Sequence, residues 1–229
     1  MRVHYLLLCL ISISLFSEDC YYSQNGQDRY LYENIFQDKR SGIFVEFGAS
    51  DGIRFSNTYF FEKNFGWNGL CIEPNPNLFP ILQKNRNCIC LQGCISDFRG
   101  SAKFLLIQGY GVGLSGLLQK YDPAHMARIE RDISTHGSKS EIIDVECFML
   151  SDVLQKYEIF AIDYLSMDTE GGELDILKTI DFDTFFIDVI SVEVNFSHDR
   201  RFQQFLSSKG YAYLGKVGAD EFYRKIQSS

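Results

Sequence analysis

Short apolar runs alternate along this chain with segments whose apolar residues recur every three or four positions. Runs rich in β-branched and aromatic residues predict strands at Ile43–Phe47, Leu70–Ile72, Cys88–Leu91, Ala102–Ile107, Glu141–Cys147, Tyr164–Met167 and Val189–Val194. Helical spacing predicts helices at Asn57–Phe65, Leu78–Asn85, Asp152–Tyr157, Glu173–Thr179 and Arg201–Lys209, with Ser56 or Asn57 capping the first of these. An earlier helix carries Tyr30, Leu31 and Ile35, and two strand-like ends, "YAYLGKV" and "EFYRKI", suit an antiparallel hairpin. Repeated strand–helix alternation predicts an α/β domain: a mainly parallel sheet with helices on both faces. The stretch Gly109–Ser140 breaks the alternation. It is glycine-rich, then weakly helical, then polar, and reads as an insertion or lid at about 109–140.

Composition narrows the classes. The 229 residues are 45% hydrophobic and 15% aromatic, which is a folded protein with one sizeable core. The formal charge of −8, with no Lys/Arg stripe, argues against a nucleic-acid partner held by its phosphates. At the start, "MRVHYLLLCLISISLFSEDC" has one early Arg, an apolar core from Tyr5 to Phe16 and acids directly after Ser17. This predicts a secretory signal over residues 1–17, ahead of one domain over 18–229. Its apolar core is shorter than the roughly 20 residues of a membrane span, so a membrane partner is expected only if the segment stays as an anchor. Six cysteines follow it, an even count that suits an oxidising compartment, but Cys71, Cys88 and Cys90 sit in strand-like runs where buried thiols are ordinary. No disulfide framework and no zinc spacing follow from them.

The chemistry gathers at strand ends. In such sheets ligands bind beyond the carboxyl ends of the strands, where strand order reverses. Glu46 closes the first strand, Gly48 and Gly52 allow a tight turn, and Glu73 closes the second. The turn is not G-x-G-x-x-G and carries acids without Lys, which is poor for a pyrophosphate. A ligand with a ribose and a positive amine or sulfonium suits it: S-adenosylmethionine, with Glu46 on the amino-acid end and Glu73 on the ribose.

Here the chain resembles the FkbM-type class I methyltransferases. The likeness runs from "SQNGQD" at Ser23–Asp28 through "VEFGASDG", "IEPNP" and "CISDFRG" to "EFYRK", and is most specific at "MDTEGGELDIL", Met167–Leu177. The opening and "NGLCIEPNP" are most similar to the branch containing the animal protein Star. The resemblance implies a Rossmann-like class I methyltransferase fold with a seven-stranded sheet, S-adenosylmethionine as donor, and methylation of a hydroxyl oxygen on a small molecule or glycan. It puts Glu46, Gly48 and Gly52 along the methionine end, Glu73 on the ribose, and Ser96 and Asp97 beside the adenine. The Star-like likeness also implies an alternative, an inactive methyltransferase-like protein of the secretory pathway that binds or escorts a partner.

Asp168 and Glu170 follow the fourth strand of that series and face the same crevice. Asp168 is the candidate base for a hydroxyl acceptor, with Glu170 beside it. Together with Glu193, these acids are equally suited to hold a divalent cation through oxygen ligands. Against this, acids at Glu170 and Glu173 also cap a helix N-terminus. His125, His136 and His198 stand alone in sequence and read as surface residues, though His125 and His136 fall in the insertion, where one of them could meet substrate. The aromatic run Tyr59–Trp67 reads as core. "NFS" at Asn195–Ser197 is a glycosylation sequon close to the crevice, where little modification is expected.

Overall fold

The computed structural model describes residues 20–194 and 200–226. The expected signal segment, the sequon at Asn195–Ser197 and His198 lie outside the described residues. Five of the seven strand runs expected from the sequence, with the two strand-like ends, assemble into a seven-stranded sheet in the order β10-β11-β9-β8-β1-β2-β3. These are β1 (Ile43–Phe47), β2 (Asn68–Glu73), β3 (Ile89–Gln92), β8 (Ala161–Met167), β9 (Phe186–Glu193), β10 (Tyr211–Val217) and β11 (Asp220–Lys225). Strands β9, β8, β1, β2 and β3 are parallel. The closing hairpin runs antiparallel, β11 against β9 and β10 against β11. Strand order reverses between β1 and β8, so a crevice forms at their carboxyl ends.

Both faces of the sheet are covered, which is why its central strands are apolar throughout. On one face Phe44, Cys71, Tyr164 and Val189 pack under α1 (Gln27–Leu31), α2 (Tyr59–Phe65) and α3 (Phe79–Asn85), with Leu31, Phe60, Phe61 and Leu82 buried among them. On the other, Val45, Phe47, Leu70 and Ile72 meet Leu154, Leu177 and Leu206 from α5 (Leu150–Lys156), α6 (Glu173–Thr179) and α7 (Arg201–Ser208). Helix α1 continues as one π-helical turn over Tyr32–Phe36. The aromatic run is core as expected: Phe60, Phe61, Phe65 and Trp67 are buried. Ser56 takes the capping part at α2, its hydroxyl accepting the backbone N–H of Tyr59.

Two expected strands belong to a second sheet. Ala102–Ile107 lies within β5 (Gly100–Gln108) and Glu141–Cys147 within β7 (Lys139–Phe148). They pair with each other antiparallel over their whole length, in a four-stranded sheet ordered β4-β7-β5-β6 with β4 (Cys94–Ile95) and β6 (Gly116–Leu117). Residues 104–107 of β5 are buried on both sides. Phe104 and Leu106 face Val145 and Cys147, whereas Leu105 and Ile107 face Ile129 of α4 (Pro123–His136). Thus the insertion is a packed unit with its own helix. All six described cysteines are free thiols. Among the described residues, no helix is long and apolar enough to cross a membrane.

Candidate functional site

Strand register fixes the site. Glu46 pairs with Cys71 on one side and Ser166 on the other, and Met167 pairs with Val192. Continuing each ladder past its last pair puts Gly48, Glu73, Asp168 and Glu193 on one rung at the carboxyl edge, and Asp220 lies opposite Glu193. Four carboxylates therefore rise from neighbouring strands around the Gly48 turn. Above them is a cavity of about 480 Å³ that Gly48, Asn57, Glu73, Ser96, Asp168, Glu170, Glu193 and Asp220 help to line.

Gly48 is held there by close approach. Its φ is 67°, and a Cβ at this position would lie 2.3 Å from the Asp168 carbonyl oxygen. Glu73 is buried, and its carboxylate accepts the backbone N–H groups of Ser50 at 2.7 Å and Asn75 at 2.8 Å. Burial outweighs those two bonds and pushes its carboxyl up to about 7.

Glu46 is a correction to the sequence reading. It stands two rungs below Glu73 and does not reach the cavity. Its carboxylate is buried under α2, where it accepts from Ser56 Oγ, the Asn57 backbone N–H (2.7 Å) and Thr58 Oγ1 (2.7 Å) and pairs with Arg86 Nη1 at 3.1 Å. Arg86 also pairs with Glu62 at 2.7 Å, and neither Arg86 nor these acids meet solvent appreciably. The reason is chain alternation: Phe47 follows Glu46 within the strand, so Glu46 shares the α2 face with Phe44. Gly52 is a second correction. It lies outside the cavity wall, and its carbonyl accepts from Arg86 Nη1 at 3.2 Å. Asp97 is a third. Ser96 lines the cavity, but the Asp97 carboxylate turns to Lys120 Nζ at 2.8 Å, and Lys120 also reaches Asp175 at 3.0 Å. Partial burial opposes the Asp97 charge, but Lys120 and a backbone N–H hold its carboxyl below the usual range.

Asp168, Glu170 and Glu193 do come together, with one carboxylate oxygen of each within 4.8 Å of the others. Asp168 is set among protein atoms, yet solvent touches its side chain from the cavity. Desolvation, then the charges of Glu193, Glu170, Asp220 and Glu173, raise its carboxyl well above the ordinary range. Since the cavity admits water, the crowding of like charges is the part of that shift the geometry supports. The loop that follows is strained: Glu170 has φ 57°, and Gly171 and Gly172 continue in positive φ. Glu173 closes this loop, accepting the N–H groups of Thr169 and Gly171. The helix-capping part open to both acids in the sequence thus falls to Glu173, and Glu170 points elsewhere.

Glu170 points at the insertion. Its Oε2 lies 3.1 Å from His125 Nε2, and both atoms are buried without an aligned hydrogen bond. His125 stacks on Tyr121 with ring centroids 5.5 Å apart. It is buried, not the surface residue its isolation in sequence suggests, whereas His136 is exposed. The sequence reading also missed Asn57, Gln27 and Asp220. Gln27 Nε2 donates to Asp220 Oδ2 at 2.9 Å, joining the "SQNGQD" segment to the last strand at the cavity edge.

The sequence profile of the methyltransferase FkbM domain matches residues 46–213. The chain belongs to the FkbM methyltransferase family. No curated protein matches it. Solved structures similar to this methyltransferase include a TehB-like SAM-dependent methyltransferase from Corynebacterium glutamicum, at 9% identity and TM-score 0.42 over 89% of each chain. Fibrillarin from Aeropyrum pernix, with natively bound S-adenosyl-L-methionine, is similar at 8% identity and TM-score 0.45, over 89% of this chain and 75% of that one. Human methyltransferase 10 domain containing protein is similar at 12% identity and TM-score 0.41, over 86% and 78% of the chains. Likeness at this level decides nothing by itself; the family rests on the sequence profile, and the strand order agrees with it. The protein is thus an S-adenosylmethionine-dependent methyltransferase of the FkbM type. Its cavity fits that donor: Gly48 lines it without a side chain, Glu73 offers two carboxylate oxygens at the middle of the edge, and buried Asn57 Oδ1 has no partner.

Proposed function

We propose that this methyltransferase methylates a hydroxyl oxygen of a small molecule or glycan, with Asp168 as the base that takes the hydroxyl proton. The observation that carries the proposal is Asp168 itself, lining the cavity beside Gly48, its carboxyl raised by the crowding of Glu193 and Glu170. A carboxylate with a raised pKa is a better base toward an alcohol than an ordinary one. Bound donor supplies a methyl group on a sulfonium; the chain's part is to align the acceptor with it and hold the departing proton. Glu73 is assigned to the ribose, and Ser96 to the adenine side. The convergence of Asp168, Glu170 and Glu193 supports a second reading of the same acids, a divalent cation held through oxygen ligands that positions the acceptor.

Asp168→Asn tests the assignment. It keeps size and removes charge, so donor affinity measured by calorimetry should stay within a few-fold, while turnover of a hydroxyl acceptor falls about 10²–10⁴-fold. Wild-type turnover in that variant would make Asp168 structural. Loss of wild-type activity on chelation, restored by added Mg²⁺ or Mn²⁺, selects the cation reading. Wild-type protein that binds donor yet methylates nothing across a panel of hydroxyl acceptors is instead the binding or trafficking protein of the secretory pathway. We place the protein in that pathway on its N-terminal apolar segment. Expression in a secretory host should remove roughly the first 17 residues, and an intact Met1 on membrane-bound protein would mark an anchor.

A further inference from the structure

With Glu46 outside the cavity, another group must receive the amino-acid end of the donor. We infer that Asn57 Oδ1 receives the donor's ammonium group; this rests on the donor assignment above.

The edge of the sheet sets the order of the subsites. Glu73 stands in the middle of the cavity edge, with Ile95 and Ser96 to the β3 side and Gly48 and Asp168 to the β8 side. A ribose at Glu73 with its base toward Ser96 therefore sends the amino-acid arm toward Gly48, Asp168 and Asn57. Asn57 is 7% exposed and lines this end. Its backbone N–H donates to Glu46 Oε1 at 2.7 Å, and its Nδ2 donates to Ser166 Oγ at 2.9 Å. Those two bonds fix the side chain and leave Oδ1 buried without a partner. A buried unsatisfied carbonyl is costly and rare in a folded protein. An oxygen of this kind accepts only, so its ligand must donate. The carboxyls of Asp168, Glu193 and Asp220 line the same cavity, and this concentration of acids favours a cationic donor over a neutral one.

The same geometry explains the residues behind Asn57. Ser56 Oγ, Asn57 N and Thr58 Oγ1 all grip the Glu46 carboxylate, which Arg86 holds in turn. Glu46 is a positioning residue here: it sets the backbone that presents Asn57.

The experiment compares two ligands that differ in the amino-acid arm. S-adenosylhomocysteine carries the ammonium, and methylthioadenosine has the same adenosine and sulfur without it. Calorimetry on wild type and Asn57→Ala should show affinity for S-adenosylhomocysteine falling at least about 10-fold, as expected for a hydrogen bond to a charged group. Affinity for methylthioadenosine should stay within about two-fold, which also shows that the variant is folded. Asn57→Asp keeps an acceptor oxygen and should hold S-adenosylhomocysteine at least as tightly as wild type. Equal losses for both ligands, or no loss for either, overturn the inference. So does an Asn57→Asp variant that loses S-adenosylhomocysteine alone, because the amide NH₂ would then be the group facing the ligand. If the wild type binds neither ligand, the donor reading falls and this one with it; if it binds both and the alanine variant does not discriminate, only this one falls.

Discussion

Glu46 and Glu73 both end strand-like runs, and two rungs of one ladder separate their fates. Glu73 turns into the cavity and is held near neutrality, its carboxyl at about 7 against an ordinary value of 4.5. The sign of the consequence follows. A carboxyl raised by folding stabilises the folded chain fully below pH 4.5, and that contribution is lost as pH rises through about 7. Its ceiling is about 3 kcal/mol. Between pH 5 and 8 the melting temperature of ligand-free wild type should therefore fall relative to Glu73→Gln, whatever constant offset the substitution brings. Donor affinity should move oppositely, rising with pH as Glu73 ionises and accepts the ribose hydroxyls; a flat affinity across that range removes Glu73 from the ribose. At Glu46 the expectations concern stability. Arg86→Leu leaves two buried carboxylates uncompensated and should cost about 3–5 kcal/mol by urea unfolding, more than Glu46→Gln, which leaves Arg86 with Glu62. Folded Glu46→Gln should hold S-adenosylhomocysteine far better than Asn57→Ala does. The sequence puts Glu46 inside a strand run that continues to Phe47 and Glu73 just past the run Leu70–Ile72; it does not show the register that sets the two acids two rungs apart. That offset, invisible in composition, decides which acid meets the ligand.

At the scale of elements, the segment from Asp168 to Glu173 shows what a motif can disclose. Acid, glycine pair and acid between a strand and a helix marked a loop that lines the cavity, because a strained loop at a strand end needs glycines and a capping acid wherever it occurs. What the motif does not disclose is its neighbour. Residues 116–121 lie across Gly171 and Gly172, and a Cβ on Gly171 would meet the Lys120 carbonyl at 2.6 Å. Lys120 clips this strap to Asp97 and Asp175. Both partners are partly exposed, so Lys120→Met should change global stability by less than about 1 kcal/mol. Amide exchange across 116–121 should nevertheless rise, since Lys120 and the Tyr121 hydroxyl, which donates to the Leu114 carbonyl, are what tie the strap down beyond the short β5–β6 pairing. Unchanged protection would mean that apolar packing of Leu117 and Leu118 holds it. The strands flanking the insertion were legible as strands but not as a separate sheet. Alternation reports which residues are buried, and on β5 both faces are, so the pattern could not name the partner strand.

For the whole molecule, the seven-stranded sheet and the smaller sheet share one cavity: the large sheet supplies the edge acids, and the small sheet and insertion supply Ser96 and the opposite wall. The four edge acids come from the large sheet, while Lys120 and Tyr110 line the cavity from the insertion and His125 meets Glu170 beside it. The insertion can be tested by removal, because Gln108 and Lys139 are directly opposite on β5 and β7. Replacing residues 109–138 by Asn-Gly closes the two strands with the turn that a two-residue hairpin prefers. Leu105 and Ile107 would lose Ile129 and face water, so both are changed to Thr to avoid an exposed apolar face. This chain should unfold in one cooperative transition and bind methylthioadenosine, since Glu73 and Gly48 are untouched. Loss of Lys120 frees Asp97, so some weakening on the adenine side is expected, about 10-fold or less if only exposed ion pairs are given up. Methylation of an acceptor that the intact protein turns over should be lost, because the Glu170 carboxylate loses His125 and the acceptor loses its wall. Full turnover in the shortened chain would place acceptor recognition on the large sheet, and failure to fold after the two Thr changes would make the small sheet part of the core.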